Sequence, residues 1–162
     1  MKRLLVCLLL VGVVGCKSSP LLEQSDFYKA CAQWAGEKDT FHTVDEIVFD
    51  GKSVRDSGGR SRETLHQTLT VITEVSSKSE GIDQFMRGLH AKLKKLAQQT
   101  GAPINSQDPD GMNGQVREFN FQYTAGIARG KVEAVLEATE NQSSQVDMET
   151  YKLILTIEES VD

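Results

Sequence analysis

The C-terminal third of the chain alternates apolar and polar residues, and this pattern constrains the fold more than any other feature. Apolar side chains recur at every second position in three successive stretches, 119–123, 132–138 and 151–157. A period of two places the apolar side chains of a strand on one face. Strands with one apolar and one polar face belong to an antiparallel sheet that is covered on one side only. We therefore expect a three-strand meander, with turns at 128–130 and 141–144.

A change of period marks a long helix before this meander. Apolar residues follow helical spacing at Ile82, Phe85, Met86, Leu89, Leu93 and Leu96. Ser77 and Glu80 have the spacing of a capping box, and Gly101 stands where a left-handed C-terminal cap belongs. The pattern predicts an amphipathic helix over 80–99 that packs across the apolar face of the sheet.

Shorter elements complete the expected domain. Helical spacing predicts a first helix over about 21–36, through Phe27, Ala30, Cys31 and Trp34. Residues rich in β-branched side chains predict a strand over 64–74, and 44–50 has the pattern of a short strand. We expect an α+β fold: an antiparallel sheet of about four strands with one long helix packed across it, preceded by a short N-terminal helix. The length of 162 residues fits one such domain, placed at 21–162.

The N-terminus combines a positive start, an apolar run and a cysteine. Lys2 and Arg3 precede residues 4–14, which are apolar except for Gly12. A run of about ten apolar residues is too short to cross a bilayer, which takes a helix of about twenty. It has the length and position of the apolar region of a secretory signal. The run ends in the sequence Val13-Val14-Gly15-Cys16.

This ending resembles the lipobox of bacterial lipoproteins, in which two apolar or small residues and a Gly or Ala precede a Cys. In that family the signal peptidase cuts before the Cys, whose thiol carries a diacylglyceryl group. The resemblance implies a signal peptide over 1–15, a lipidation site at Cys16 and a polar tether that completes 16–20. Two or more acyl chains anchor stably because each buried methylene contributes about 0.8 kcal/mol.

Position 17 carries further information within the same resemblance. An Asp there would imply retention in the inner membrane of enteric bacteria, and this chain has Lys17. We therefore expect a lipid-anchored protein of the bacterial cell envelope, held at the outer membrane and facing the periplasm. The alternative is an ordinary cleaved signal peptide in which Cys16 is incidental.

Charge and cysteine content limit the functions of the exported domain. The formal net charge is −5, and loss of Lys2 and Arg3 with the signal would make it −7. An acidic domain is poorly suited to nucleic acid, whose binding depends on neutralising phosphates, so we expect no nucleic-acid partner. Cys31 would be the only cysteine of the domain after Cys16, which excludes an intramolecular disulfide framework, and its helical spacing predicts burial.

One segment has a local excess of positive charge. Residues 51–62 are rich in Gly and Ser and carry Lys52, Arg55, Arg60 and Arg62. We expect an exposed, mobile loop here. It is a candidate contact for an envelope protein or another anionic partner, such as peptidoglycan or lipid headgroups. The alternative is a solvated loop without a partner.

No pattern of residues indicates a metal site or a catalytic site. His42, His66 and His90 lie on different elements without metal-ligand spacing, and we expect the last two at the surface. The turn-rich stretch 105–114 invites a calcium interpretation, but aligned on its Asp-Gly turn it lacks the first Asp and the final Glu of an EF-hand loop. No nucleophile-elbow sequence is present. We expect no cofactor and no enzymatic activity.

These observations favour a membrane-anchored envelope lipoprotein with a non-enzymatic binding or structural domain. One alternative is a small-ligand or hydrolytic domain with a pocket between helix and sheet, to which Tyr123 and Tyr151 could contribute. Another comes from the order of strand, helix and meander, together with the sequence at 122–126, Gln-Tyr-Thr-Ala-Gly. It is similar to the Gln-x-Val-x-Gly hairpin of cystatins, with Thr124 in place of the Val. This resemblance implies protease inhibition through a projecting hairpin.

Overall fold

The structure is a computed structural model that describes residues 22–37, 48–60, 64–106, 116–139 and 149–162. In chain order its elements are α1 (Asp26–Gly36), β1 (Val48–Arg60), β2 (Leu65–Ser77), α2 (Ser79–Gln99), β3 (Ile104–Ser106), β4 (Glu118–Ala125), β5 (Ala128–Ala138) and β6 (Glu149–Val161). The expected α+β class is confirmed. Within the described residues the sheet has six strands rather than about four, and two helices accompany it.

The strands form one antiparallel sheet in the order β1-β2-β6-β5-β4-β3. The expected meander is present as β4, β5 and β6, which pair in sequence. The connection from β2 through α2 leads to β3 at the opposite edge, so that β6 returns to pair with β2 in the centre. The sheet therefore places the last strand of the chain between strands from both halves.

The long helix and the apolar face of the sheet enclose the core. α2 begins at Ser79, one residue before the expected start, and it buries Ile82, Phe85, Met86, Leu89, Leu93 and Ala97. It packs against β2, β4 and α1. Full burial of one large aliphatic or aromatic side chain contributes about 1.5–3 kcal/mol, so burial of this stripe stabilises the packing of α2 on the sheet.

The first helix is shorter than expected because it begins at Asp26, after its N-cap Ser25. The Ser25 side chain accepts a hydrogen bond from the backbone N–H of Tyr28 at 3.1 Å. The helix buries Phe27, Tyr28, Cys31, Trp34 and Ala35. The predicted burial of Cys31 is therefore confirmed.

The basic segment is mostly strand, and the expectation of a mobile loop over 51–62 is wrong for residues 51–60. β1 pairs with β2 from Val48, opposite Ser76, to Arg60, opposite Leu65, with an irregularity between Asp50 and Lys52. Ladder hydrogen bonds involve only the backbone, so a sequence rich in Gly and Ser can still form an edge strand. The described side chains of the segment, 54–60, are exposed as expected.

Two local predictions at turns and caps are wrong, and one is confirmed. The turn expected at 128–130 lies at Gly126 and Ile127, and Gly126 has a left-handed φ of +64° that glycine adopts without steric cost. The capping box is absent because Ser77 ends β2 and the N-cap is Lys78, which makes no side-chain cap bond. Gly101 has the expected left-handed conformation, with φ +67°.

Several sequence predictions concern residues outside the described ranges. These are the signal and tether over 1–20 with Cys16, the strand residues 44–47, His42, Arg62, the turn at 141–144 and most of the stretch 105–114.

Candidate functional site

The sheet has a second face, opposite the helices, whose side chains are exposed or half-buried. Along β5 the side chains of this open face are Arg129, Lys131, Glu133, Val135 and Glu137, which alternate with the buried Val132, Ala134 and Leu136. The sequence alternation therefore has the structural meaning that was predicted for it. In the described part of the chain, polar side chains of neighbouring strands lie side by side on this open face, where they can contact the same ligand.

Strand register arranges these side chains in rows across the sheet. The first row, from β2 to β4, consists of His66, Ser160, Arg129 and Thr124. The second row, from β2 to β3, consists of Thr68, Glu158, Lys131, Gln122 and Asn105. Directly opposed residues on adjacent antiparallel strands have Cβ atoms about 4.5–5.5 Å apart. Members of one row are therefore close enough to bind a common ligand.

Both rows line one groove of about 710 Å³ that opens to solvent. Its walls are completed by Pro103, by Ile104 at the start of β3 and by the residues between the two rows. The nine side chains of the two rows are all polar or charged, and none is a Phe, Tyr or Trp. A polar lining of this kind suits a ligand that forms hydrogen bonds and ion pairs.

The two rows differ in charge. In the second row, the Lys131 ammonium lies 2.8 Å from the Glu133 carboxylate, and this hydrogen bond is the main reason why the pKa of Lys131 is raised. Glu158, the neighbour of Lys131 across the ladder, adds a further negative charge. In the first row, the side chains of Arg129 and His66 form no ion pair or hydrogen bond with the described residues. Arg129 therefore gives the first row a positive charge that no described acid neutralises, and His66 adds a hydrogen-bonding ring.

A different polar cluster lies on the covered face and holds α1 on the sheet. The buried Glu159 carboxylate accepts hydrogen bonds from the Ser25 backbone N–H at 2.8 Å, from the Ser25 hydroxyl and from the Tyr123 hydroxyl at 3.0 Å. Nearby, the Tyr28 hydroxyl donates to Asp56 at 2.8 Å. Burial, followed by the charge of Glu159, raises the pKa of Tyr123, so the phenol remains a donor. The cluster is fully engaged in packing α1.

The single described cysteine is not arranged for chemistry. Cys31 is completely buried in α1, and burial, followed by the charge of Glu159, raises its pKa to about 12. The thiolate is the reactive form of cysteine, so a thiol with this pKa is inert at neutral pH.

One histidine prediction is confirmed and one is wrong. His66 is exposed in the groove, as expected. His90 is 3% exposed, and its ring makes edge contacts with Phe119 and Phe121 at centroid distances of 5.1 and 5.9 Å. The reason is helical spacing: His90 lies four residues after Met86, on the same buried stripe.

The two tyrosines proposed for a pocket between helix and sheet do not meet. Tyr123 points into the Glu159 cluster, whereas the Tyr151 hydroxyl donates to Glu149 at 2.8 Å. The guanidinium carbon of Arg117 lies 4.4 Å from the centre of the Tyr151 ring. Tyr123 pairs with Gly130 near one end of β5, and Tyr151 pairs with Ala138 at the other end.

The segment similar to the cystatin hairpin lies mostly inside the sheet. Residues 122–125 belong to β4, and Tyr123 among them is buried. The hairpin tip consists of Gly126 and Ile127, and the Ile127 side chain is 63% exposed. The resemblance predicts a projecting tip over 122–126, whereas the observed tip is only two residues long and lies at 126–127.

The described residues contain neither a cluster of metal ligands nor a membrane-spanning helix. Among the described residues, no group of three or more His, Cys, Asp or Glu side chains is arranged to hold a metal ion. No described helix is both long enough and apolar enough to span a membrane. Comparison with protein-family models, with curated proteins and with solved structures found no match in any of the three.

Proposed function

We propose that the chain is a lipid-anchored lipoprotein of the bacterial envelope whose domain binds a partner through the groove on its open face. Acylation at Cys16 holds it at the outer membrane, facing the periplasm. The partner carries an anionic group, and the domain acts by binding rather than by catalysis. The lipobox-type sequence at Val13-Val14-Gly15-Cys16 supports the anchor, and the first row of the groove supports the binding role.

The observation that carries the binding proposal is the positive charge that Arg129 gives the first row. Arg129 and His66 stand two strands apart, on either side of Ser160. Two strand spacings place their backbones about 10 Å apart, and the side chains can converge on a group between them. Hydrogen bonds from cationic donors to a carboxylate or phosphate are roughly twice as strong as neutral ones. The hydroxyls of Ser160 and Thr124 add further donors beside the same group.

The rest of the groove sets the character of the partner. Glu158 and Glu133 make the second row unfavourable for further negative charge, while Thr68, Gln122 and Asn105 offer neutral hydrogen bonds. We therefore expect one anionic group at the first row and uncharged polar groups along the second row. In this proposal the anionic contact lies on the open face of the sheet rather than on the basic segment from Lys52 to Arg62.

A hydrolytic function is the second candidate, because His66 and Ser160 stand opposite each other on adjacent strands. An activated serine needs a base bonded to its hydroxyl and backbone donors free to stabilise an oxyanion. No hydrogen bond joins these two side chains in the described structure. Ser160 also lies in β6, which pairs with β2 on one side and β5 on the other. Its neighbouring backbone N–H groups are engaged in these ladders, so the geometry favours binding.

The anchor is tested by metabolic labelling. The full-length chain, expressed in a bacterium that acylates lipoproteins, should incorporate radioactive palmitate, and the variant Cys16→Ala should not. Absence of label, or label that persists in Cys16→Ala, would contradict the anchor.

The binding role is tested by retention of envelope components on the immobilised intact lipoprotein. Arg129→Gln should reduce the retained material at least tenfold, because it removes the free cation of the first row. Lys152→Gln is the matched control: Lys152 is on the same face but lies 3.8 Å from Glu137, far from the groove. Equal retention by all three proteins would contradict the proposal, whereas hydrolysis of a retained component that depends on Ser160 would favour the second candidate.

A further inference from the structure

The chain leaves the described domain at the end of the sheet that carries the β4–β5 hairpin. Leu22, the first described residue, packs with Ala125 against a small apolar cluster. This cluster consists of Leu65, Ala128 and Val161. It is separate from the main core, and it joins the start of the domain to the base of the hairpin.

The length of chain between Leu22 and the lipidation site limits the orientation of the domain. Five residues lie between Cys16 and Leu22, and the six residue steps that join them span at most about 20 Å when fully extended. β2 and β6 each contain 13 residues, so the sheet is about 40 Å long in the strand direction. An anchor at Cys16 therefore keeps the hairpin end of the sheet near the bilayer.

The hairpin tip presents an apolar side chain at this same end. Ile127 is 63% exposed, and it is more exposed than Val54, the other large hydrophobic residue that is exposed in the described chain. A single exposed isoleucine on a free protein has no special meaning. Ile127 gains its significance from its position, because it lies at the end of the domain where Leu22 begins the described chain.

Charges at this end do not favour one class of lipid headgroup. Arg60, which donates to the Leu22 carbonyl at 3.1 Å, and Arg129 are positive. Glu23, Asp26 and Asp162 are negative and lie in the same region, near the start of α1 and the end of β6. A contact with the membrane at this end therefore depends on apolar surface rather than on net charge.

We propose that the hairpin tip, Gly126 and Ile127, rests on the bilayer, with the Ile127 side chain in the boundary between headgroups and acyl chains. This inference rests on the proposed anchor at Cys16. The lipid tether makes the contact intramolecular, so that a single apolar side chain suffices where it would fail in free solution. The tip contact orients the sheet with its strands directed away from the membrane, and the groove then opens beside the bilayer.

The test places a fluorophore at either end of β5 in the full-length lipidated protein. Ile127→Cys and, as matched control, the exposed Ala138→Cys are labelled with an environment-sensitive nitrobenzoxadiazole dye in a Cys31→Ala background. The proteins are reconstituted in phosphatidylcholine vesicles with and without nitroxide-labelled phosphatidylcholine. We expect at least twofold stronger quenching and a blue-shifted emission at position 127, and neither effect at position 138. Quenching at 127 should be unchanged by 0.5 M salt.

The outcomes separate this inference from the anchor itself. Proteins that float with the vesicles but show equal, weak quenching at both positions would overturn the tip contact and leave the anchor intact. Quenching at 127 that disappears in 0.5 M salt would overturn the apolar contact. Failure to float, or flotation that persists after Cys16→Ala, would overturn the anchor and the tip contact together. Both labelled sites are exposed, so the variants should fold, and circular dichroism checks this.

Discussion

The two faces of the sheet are built from the same strands but differ in what their side chains do. On β6, Leu153, Leu155 and Ile157 are completely buried under the helices, whereas the alternate residues Ile154 and Thr156 are only half-buried. The covered face thus holds the fold together, and the open face contributes little to it. Because the side chains of the open face are not needed to form the core, they can be charged or carry hydroxyls. The groove lies on this face.

Each face also contains one exception to its general character. The covered face includes the buried Glu159 carboxylate, which is tolerated because three donors satisfy it. The open face includes an apolar row of Ile72, Ile154 and Val135, which are paired across β2, β6 and β5. This row lies beyond the groove, so the polar rows end at an apolar border. The difference between the two faces can therefore be tested by substituting adjacent residues of one strand, which lie on opposite faces.

The largest difference is expected between two adjacent residues of the central strand. Leu155→Ala should lower the free energy of unfolding by about 3 kcal/mol, because it leaves a cavity in the core. Ile154→Ala, one residue away on the open face, should lower it by about 1 kcal/mol. Urea denaturation measures both values. Similar losses for the two variants would show that the open face is covered in solution.

The next largest effect is expected at the exception on the covered face. Glu159→Gln replaces one of two acceptor oxygens with a donor that faces the donors of Ser25 and Tyr123, at a cost of about 2–3 kcal/mol. The start of α1 should loosen, and Trp34, the only tryptophan, should report this as a red-shifted emission. Glu158→Gln is the matched control because its side chain is exposed. An unchanged Trp34 spectrum in Glu159→Gln would show that the cluster does not hold α1.

A smaller effect is expected from pH, again on the covered face. The pKa of Cys31 is about 12 in the fold, mainly because of burial, and 9.0 is its ordinary value. Between these values the unfolded chain has lost the thiol proton and the folded chain has kept it, so stability falls as pH rises above 9. At pH 10 the loss is about 1.4 kcal/mol. Well below pH 9 the thiol is protonated in both the folded and the unfolded chain, so Cys31 causes no loss of stability there.

Denaturation at pH 8 and pH 10 measures this slope. The variant Cys31→Ala should lose about 1.4 kcal/mol less over that interval than the wild type. Tyr28 and Tyr123, whose pKa values are also raised, contribute to the slope in both proteins. An identical slope in the two proteins would show that the thiol is accessible to solvent.

The sequence predicted the elements whose signal is periodic and local. α2 was predicted nearly to its ends and the meander strands were predicted at their centres, because repeated spacing over many residues specifies both the type of element and its buried face. The ends of the strands were not predicted: β5 begins within the expected turn at 128–130, and β6 extends to Val161. Residues 51–60 of β1 were mistaken for a loop because an edge strand needs only its backbone ladder, and their side chains carry no apolar period, whereas 48–50 belong to the strand expected over 44–50. β3 has three residues, too few to show a period. His90 was misplaced because its polarity was given more weight than its helical spacing.

The candidate site could be predicted only in part. The alternation places Lys131 and Glu133 on a polar face, and that much is readable from the sequence, whereas Arg129 was assigned to a turn. The grouping of polar side chains into rows depends on β6 pairing with both β2 and β5, which brings His66 next to Ser160 across 94 positions of sequence. Such register is set by long-range packing and turn geometry, which a single sequence does not display.

The smallest expected effect belongs to the ion pair at the edge of the groove. Lys131 and Glu133 are 2.8 Å apart with about half of each side chain exposed, so water screens the pair and a double-mutant cycle should give only a small coupling. Removal of Glu133 by Glu133→Gln should leave stability nearly unchanged and should free the Lys131 ammonium for a ligand. If the groove binds an anionic group, Glu133→Gln should raise the affinity for the envelope component that Arg129→Gln fails to retain. A coupling as large as that of a buried ion pair would instead show that this part of the open face is shielded from solvent, as the covered face is.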